Sequence, residues 1–91
     1  MTLTRGGFGH YDYDRMIVRF TMTDADTEVA CAISSAALDD MEGSSGTKPG
    51  QREAQFLRLR DRIEARAARK FADAEFEGHP AGIVLRSIDF R

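Results

Sequence analysis

The sequence predicts an α+β fold of order β-β-α-α-β: a three-stranded, mainly antiparallel sheet with one long amphipathic helix packed on one face. Three observations carry this reading. Residues Gln51–Phe76 contain neither Gly nor Pro, and Phe56, Leu59, Ile63, Ala67, Phe71 and Ala74 recur every three or four positions. A helix turns about 100° per residue, so these six share one stripe. Upstream, Met16, Val18, Phe20 and Met22 alternate with Arg15, Ile17, Arg19 and Thr21, the period of a half-buried strand. Downstream, Ile83–Phe90 is a second apolar, β-branched run, set off from the helix by Gly78 and Pro80.

Each element has its local reason. Residues 1–10 are polar with three glycines and read as a loose N-terminal arm. A single domain over 11–91 follows. Gly6-Gly7-Phe8-Gly9 lacks the preceding strand and following helix of a phosphate loop. The strand Arg15–Met22 turns through Thr23–Thr27 into a second strand, Glu28–Ile33, with Val29, Cys31 and Ile33 on one face. Their closeness in sequence makes an antiparallel hairpin, and Arg15–Met22 is placed centrally. Ser34 or Ser35 caps a short helix through Ala36, Ala37, Leu38 and Met41, ending near Gly43. The Gly/Ser-rich stretch 43–50 is a flexible loop. The long helix starts between Lys48 and Gln51, with Thr47 as the expected N-cap and Pro49 in the first turn. In the last strand Ile83 and Leu85 favour one face, while Val84, Ile88 and Phe90 favour the other. Burial on both sides or a bulge would reconcile them.

The second face of the long helix carries Arg58, Arg62, Arg66 and Arg69. Arg58–Asp61, Arg60–Glu64 and Arg69–Asp73 stand at pairing distances along a helix. Residues 51–76 hold five acids against seven basic residues, so the face reads first as solvated and laced with ion pairs. Its alternative is a row of partner or phosphate contacts.

At 91 residues the chain is one domain with one modest core. Its net charge is −2 and its pI about 5.6, a balance that counts against a dedicated nucleic-acid binder. The charge is uneven: residues 1–50 hold eight acids and four basic residues, and residues 51–91 hold seven and nine. One cysteine, Cys31, permits no intrachain disulfide and fits a reducing, cytoplasmic setting. No apolar run approaches the ~20 residues of a membrane span.

The order Val29-Ala-Cys31-Ala-Ile33-Ser34, then Ala37-Leu38-Asp39, later Phe56…Arg60…Arg62-Ile63-Glu64, and last Ile83-Val-Leu85…Ile88-Asp89-Phe90 resembles a bacterial family. It is the domain-of-unknown-function family numbered fourteen-eighty-eight. The resemblance covers residues 8–90 and rests on core positions. It implies a small bacterial α+β domain and brings no activity or catalytic residues.

No catalytic, metal or cofactor signature emerges. Cys31 lies mid-strand on the core face, where thiols act as small hydrophobes. His10 and His79 fall in loops as surface residues, and with one Cys they do not make a zinc site. Asp24, Asp26 and Glu28 alternate but lack the rest of a calcium loop. Asp89 inside an apolar run needs a partner, with Arg19 or Arg60 as candidates. One helix leaves the other sheet face uncovered, exposing Ile17, Ala30 and Ala32, a face for a homodimer. The favoured function is a non-enzymatic interaction module, homodimeric or bound to a protein partner. The alternatives are a nucleic-acid-associated regulator using the arginines and a small enzyme around Cys31 or Asp89.

Overall fold

A computed structural model describes residues 3–78 and 81–91. It has four strands and two α-helices: β1 (Leu3–Asp12), β2 (Ile17–Asp24), β3 (Thr27–Ser34), α1 (Ser35–Glu42), α2 (Arg52–Ala72) and β4 (Ile83–Leu85). Short 3-10 helices at Pro49–Gln51 and Ser87–Phe90 precede α2 and follow β4. The sheet order is β1-β2-β3-β4. The first three strands are antiparallel, and β4 joins β3 in parallel after the helical crossover.

The expected three-stranded sheet is thus corrected to four. Of the stretch expected as a loose arm, residues 1–2 lie outside the described residues and residues 3–10 belong to an edge strand, paired with β2 from Leu3↔Asp24 to Asp12↔Ile17. Its glycines serve the pairing. The register shifts between Arg5 and Phe8 and again between Phe8 and His10. A Cβ on Gly6 or Gly9 would strike the carbonyls of Thr21 and Arg19. Bulges of this kind tolerate glycine where backbones come close. The expected last strand is also shorter. Pairing stops at Leu85, and Ser87–Phe90 coils. Ile83 and Leu85 are fully buried, whereas Ile88 is 72% exposed.

The core lies between the sheet and α2. Val18, Phe20 and Met22 of β2 and Cys31 and Ile33 of β3 face Phe56, Ile63, Ala67 and Phe71 of α2. Ala37 and Leu38 of α1 close one end. Ser34 caps α1, its Oγ accepting from Ala37 N at 3.1 Å, and Gly43 ends it at φ +62°.

Helix α2 stops at Ala72, short of the expected Phe76. Ala74 N–H donates to the Phe71 carbonyl and Glu75 N–H to that of Lys70, with Ala74 at φ +56°. This is a Schellman closure with alanine where glycine is usual. Phe76 then folds back edge-on to Phe71, with ring centroids 5.6 Å apart. The left-handed position costs alanine about 1–2 kcal/mol, partly offset by the greater unfolded freedom of glycine. Ala74→Gly is therefore expected to stabilise the fold by roughly 0.5–1 kcal/mol, measured as a higher urea midpoint at unchanged slope.

Candidate functional site

The arginine row does not behave as one face. Arg58 turns to α1, its Nε donating to Glu42 Oε2 at 2.9 Å rather than to Asp61. Asp61 instead accepts from Arg5 at 2.9 Å. Of the expected intrahelical pairs only Arg60–Glu64 forms, at 2.9 Å. Arg60 also donates to the Gly6 carbonyl, clamping β1 to α2.

Arg66 reaches the C-terminal 3-10 helix. Its Nε donates to the Asp89 carbonyl at 2.8 Å and its Nη2 to Asp89 Oδ1 at 3.5 Å. Its Nη1 is buried with no acceptor among the described residues. Lys70 Nζ lies 3.1 Å from Asp89 Oδ1 and donates to the Val84 carbonyl at 2.9 Å. The Arg86 backbone N–H donates to Asp89 Oδ2 at 2.8 Å. Burial alone would push the Asp89 carboxyl up. The Arg86 N–H, Lys70 and Arg66 outweigh it and hold the group below the usual carboxylate range. Asp89 thus pins the turn to α2, through Lys70 and Arg66 rather than the expected Arg19 or Arg60.

What the pin creates is a groove. Phe90 lines three adjoining depressions of about 400, 540 and 350 Å³, whose other walls include Arg62, Arg66, Arg69 and Arg91. Arg62, Arg69 and Arg91 have no acid within ion-pair distance among the described residues. Asp40 and Asp73 also line it. Phe90 and Arg91 are the members of this site that the sequence does not announce. The apolar run places Phe90 in a strand, and helix spacing says nothing of a residue that meets the helix through a turn.

A second polar cluster ties α1 to the start of α2. Arg52, its side chain 5% exposed, donates from Nη1 to Asp39 Oδ1 at 2.8 Å and to Gln55 Oε1 at 2.7 Å. Thr47, expected as an N-cap, donates to Asp39 Oδ1 at 2.8 Å instead. Gln55 Nε2 donates to Asp39 at 3.0 Å and Glu42 at 3.2 Å. The Arg52 guanidinium sits 5.5 Å from the Tyr11 ring centroid. Its terminal nitrogens are spent on Asp39 of α1 and Gln55 of its own helix, and its buried Nε has no acceptor among the described residues, so its role is structural.

The remaining candidates scatter. Cys31 is buried, and burial pushes its thiol up to about 12, so it stays protonated near neutrality. His10 is an exposed position of β1 opposite Arg19, and His79 lies outside the described residues. Asp24, Asp26 and Glu28 flank the β2–β3 turn. Among the described residues they join no cluster of three or more metal-ligating side chains. On the outer sheet face Ala30 is exposed and Ile17 half-buried, but Ala32 is only 6% exposed, seated between Arg19 and Val84 in the ladder. Thr21, Thr23 and Thr4 continue that face, so it is more polar than expected. Among the described residues no helix is long and apolar enough to cross a membrane.

The family described as "Protein of unknown function (DUF1488)" matches residues 8–84. The chain belongs to this family. The match takes in all of β2 through α2, and ends before the turn that carries Asp89 and Phe90. A crystal structure of a DUF1488 protein of unknown function from Shewanella loihica PV-4 superposes with a TM-score of 0.79. That alignment covers 93% of each chain at 17% identity, a likeness of fold. Comparison with curated proteins gives no match. In this DUF1488 chain the long helix is laid over a four-stranded sheet, and Arg66 of that helix holds the pinned turn.

Proposed function

We propose that the chain is a non-enzymatic interaction module that holds an anionic partner in the groove between α2 and the C-terminal 3-10 helix. One observation supports it above the rest: three guanidiniums, on Arg62, Arg69 and Arg91, surround Phe90 without acid partners of their own among the described residues. Elsewhere the chain pairs its arginines. Arg5, Arg52, Arg58, Arg60 and Arg86 each meet a carboxylate within 2.9 Å. The non-enzymatic reading draws on the dispersal of the reactive groups. Cys31 sits in the core, Asp89 is fully partnered and His10 lies on the first strand.

The test is binding of labelled polyglutamate and of oligothymidylate at low salt. At least one is expected to bind, with affinity falling as salt rises. The Arg62→Ala/Arg69→Ala variant is expected to lose about tenfold and flatten the salt dependence, while Arg58→Ala changes little. Absence of binding to both polymers and to a mixed glutamate–leucine peptide removes this reading. The open sheet face supports a second mode, a homodimer through Ile17 and Ala30. A monomer mass by light scattering at tens of micromolar removes that one.

A further inference from the structure

The groove is not uniformly basic, and the pattern of its lining narrows the partner. Four arginines share it with Asp40 in one depression and with Asp73 and the pinned Asp89 in another. A phosphate chain carries like charge at every step, so running it through this lining would set some phosphates against Asp40 or Asp73. Like charges brought together cost energy in a partly desolvated groove. The usable basic strip is also short. Arg58 is committed to Glu42, which leaves Arg62 to Arg69 on the helix, about 10 Å of axis. That length faces only ~3 residues of an extended peptide, or about as many phosphates of one strand. So few phosphate contacts give a polyanion little affinity at ordinary salt.

The apolar part of the surface points the same way. Phe90 forms a wall common to all three depressions, and Ile88, 72% exposed, stands at the rim of one of them. A large exposed aliphatic beside an aromatic adds nothing to phosphate binding. It offers an apolar anchor site ringed by charge, the arrangement of a protein interface with a buried centre and polar edge.

Resting on the reading of the groove as an anion-binding surface, we propose that its partner is an extended peptide segment. Two or three of its carboxylates meet Arg62, Arg69 and Arg91, and an apolar side chain between them seats on Phe90 and Ile88. The segment's uncharged positions pass Asp40 and Asp73. Carboxylate and guanidinium match in two-pronged geometry, and the anchor supplies the area that makes a short contact stable.

The experiment titrates the whole chain with four fluorescent probes. These are the nonapeptide Glu-Ser-Leu-Ser-Glu-Ser-Leu-Ser-Glu, whose glutamates and leucines share one face of an extended chain, its glutamine–leucine counterpart, polyglutamate of equal length, and oligothymidylate. The glutamate–leucine peptide is expected to bind best, with the glutamine–leucine and all-glutamate peptides each about tenfold weaker. Arg62→Ala/Arg69→Ala and Ile88→Ser are each expected to weaken it several-fold, and Ile88→Ser leaves polyglutamate binding unchanged. Because Ile88 is exposed, that variant tests the anchor without threatening the fold. Equal or tighter binding of oligothymidylate or polyglutamate overturns the assignment of an apolar-anchored peptide and leaves the anion-binding groove standing. Failure of every anionic probe overturns both.

Discussion

Phe56→Ala is expected to remove about 4 kcal/mol of folding stability, more than truncation at any other position of the α2 stripe. Phe56 is fully buried and lies where three elements meet. Its ring stands 5.0 Å from that of Phe20 on β2 and 5.7 Å from that of Phe8 on β1, both tilted. The Arg60 guanidinium sits 5.9 Å from its centroid. Truncation forfeits the buried area, both aromatic pairs and the cation–π contact, and opens a cavity that the long, stiff α2 cannot collapse into. A domain of this size holds roughly 5–14 kcal/mol in total, so the variant keeps only part of it. The midpoint of thermal unfolding is expected to fall by roughly 15–30 °C. Leu57→Ala, one residue on but 47% exposed, should stay within about 0.5 kcal/mol of the parent. Equal effects at the two positions would mean that the apolar stripe of α2 is not the face the sheet covers.

That contrast also shows what the sequence could convey. A helical stripe is a local signal, since its period is fixed by backbone geometry. Phe56, Ile63, Ala67 and Phe71 could therefore be assigned to the core, where they are found. Ala74 could not, because the helix has already closed before it. β1 escapes the sequence pattern because Gly6, Gly7 and Gly9 are loop residues by propensity. The reason for Gly6 and Gly9 lies in the carbonyls of Thr21 and Arg19 on a neighbouring strand. The run Ile83–Phe90 fails for a similar reason: a three-residue strand and a 3-10 turn share one apolar composition, and only β3 and α2 decide where pairing stops. The candidate site was half legible. Spacing put Arg58, Arg62, Arg66 and Arg69 on one side of a helix. Which of them are neutralised depends on Glu42 and Asp89, carried by elements remote in sequence. Long-range pairing of this kind leaves no local trace.

Asp89→Ala is expected to cost about 3 kcal/mol, and to damage the groove more than its distance from Arg62 suggests. Asp89 and Lys70 have side chains each 8% exposed, and removing one member of a buried pair strands the other. Lys70 keeps the Val84 carbonyl, which places the loss at the lower end of the range for such pairs. Because its carboxyl is held below the usual range in the folded state, Asp89 stabilises the fold at neutral pH. That contribution is complete above the unfolded value of about 4 and is lost as pH falls through the lower folded value. The stability gap between the parent and Asp89→Asn should therefore be constant above about pH 5 and narrow steadily in more acid solution. Asparagine can still accept the Arg86 N–H, so its loss at pH 7 should be smaller than that of alanine. Binding supplies the second readout. The Asp89 carboxylate accepts from Arg66, Lys70 and the Arg86 backbone, and these contacts tie the base of the turn to α2. Asp89→Ala removes these three and leaves only the Arg66 Nε bond to the backbone carbonyl of residue 89, so Phe90 and Arg91 are held less firmly opposite Arg62 and Arg69. Affinity for the acidic probe should then fall even at temperatures where the variant remains fully folded. If affinity survives in a folded Asp89→Ala chain, the arginines bind as separate helix-surface charges, and the turn is not a wall of the site.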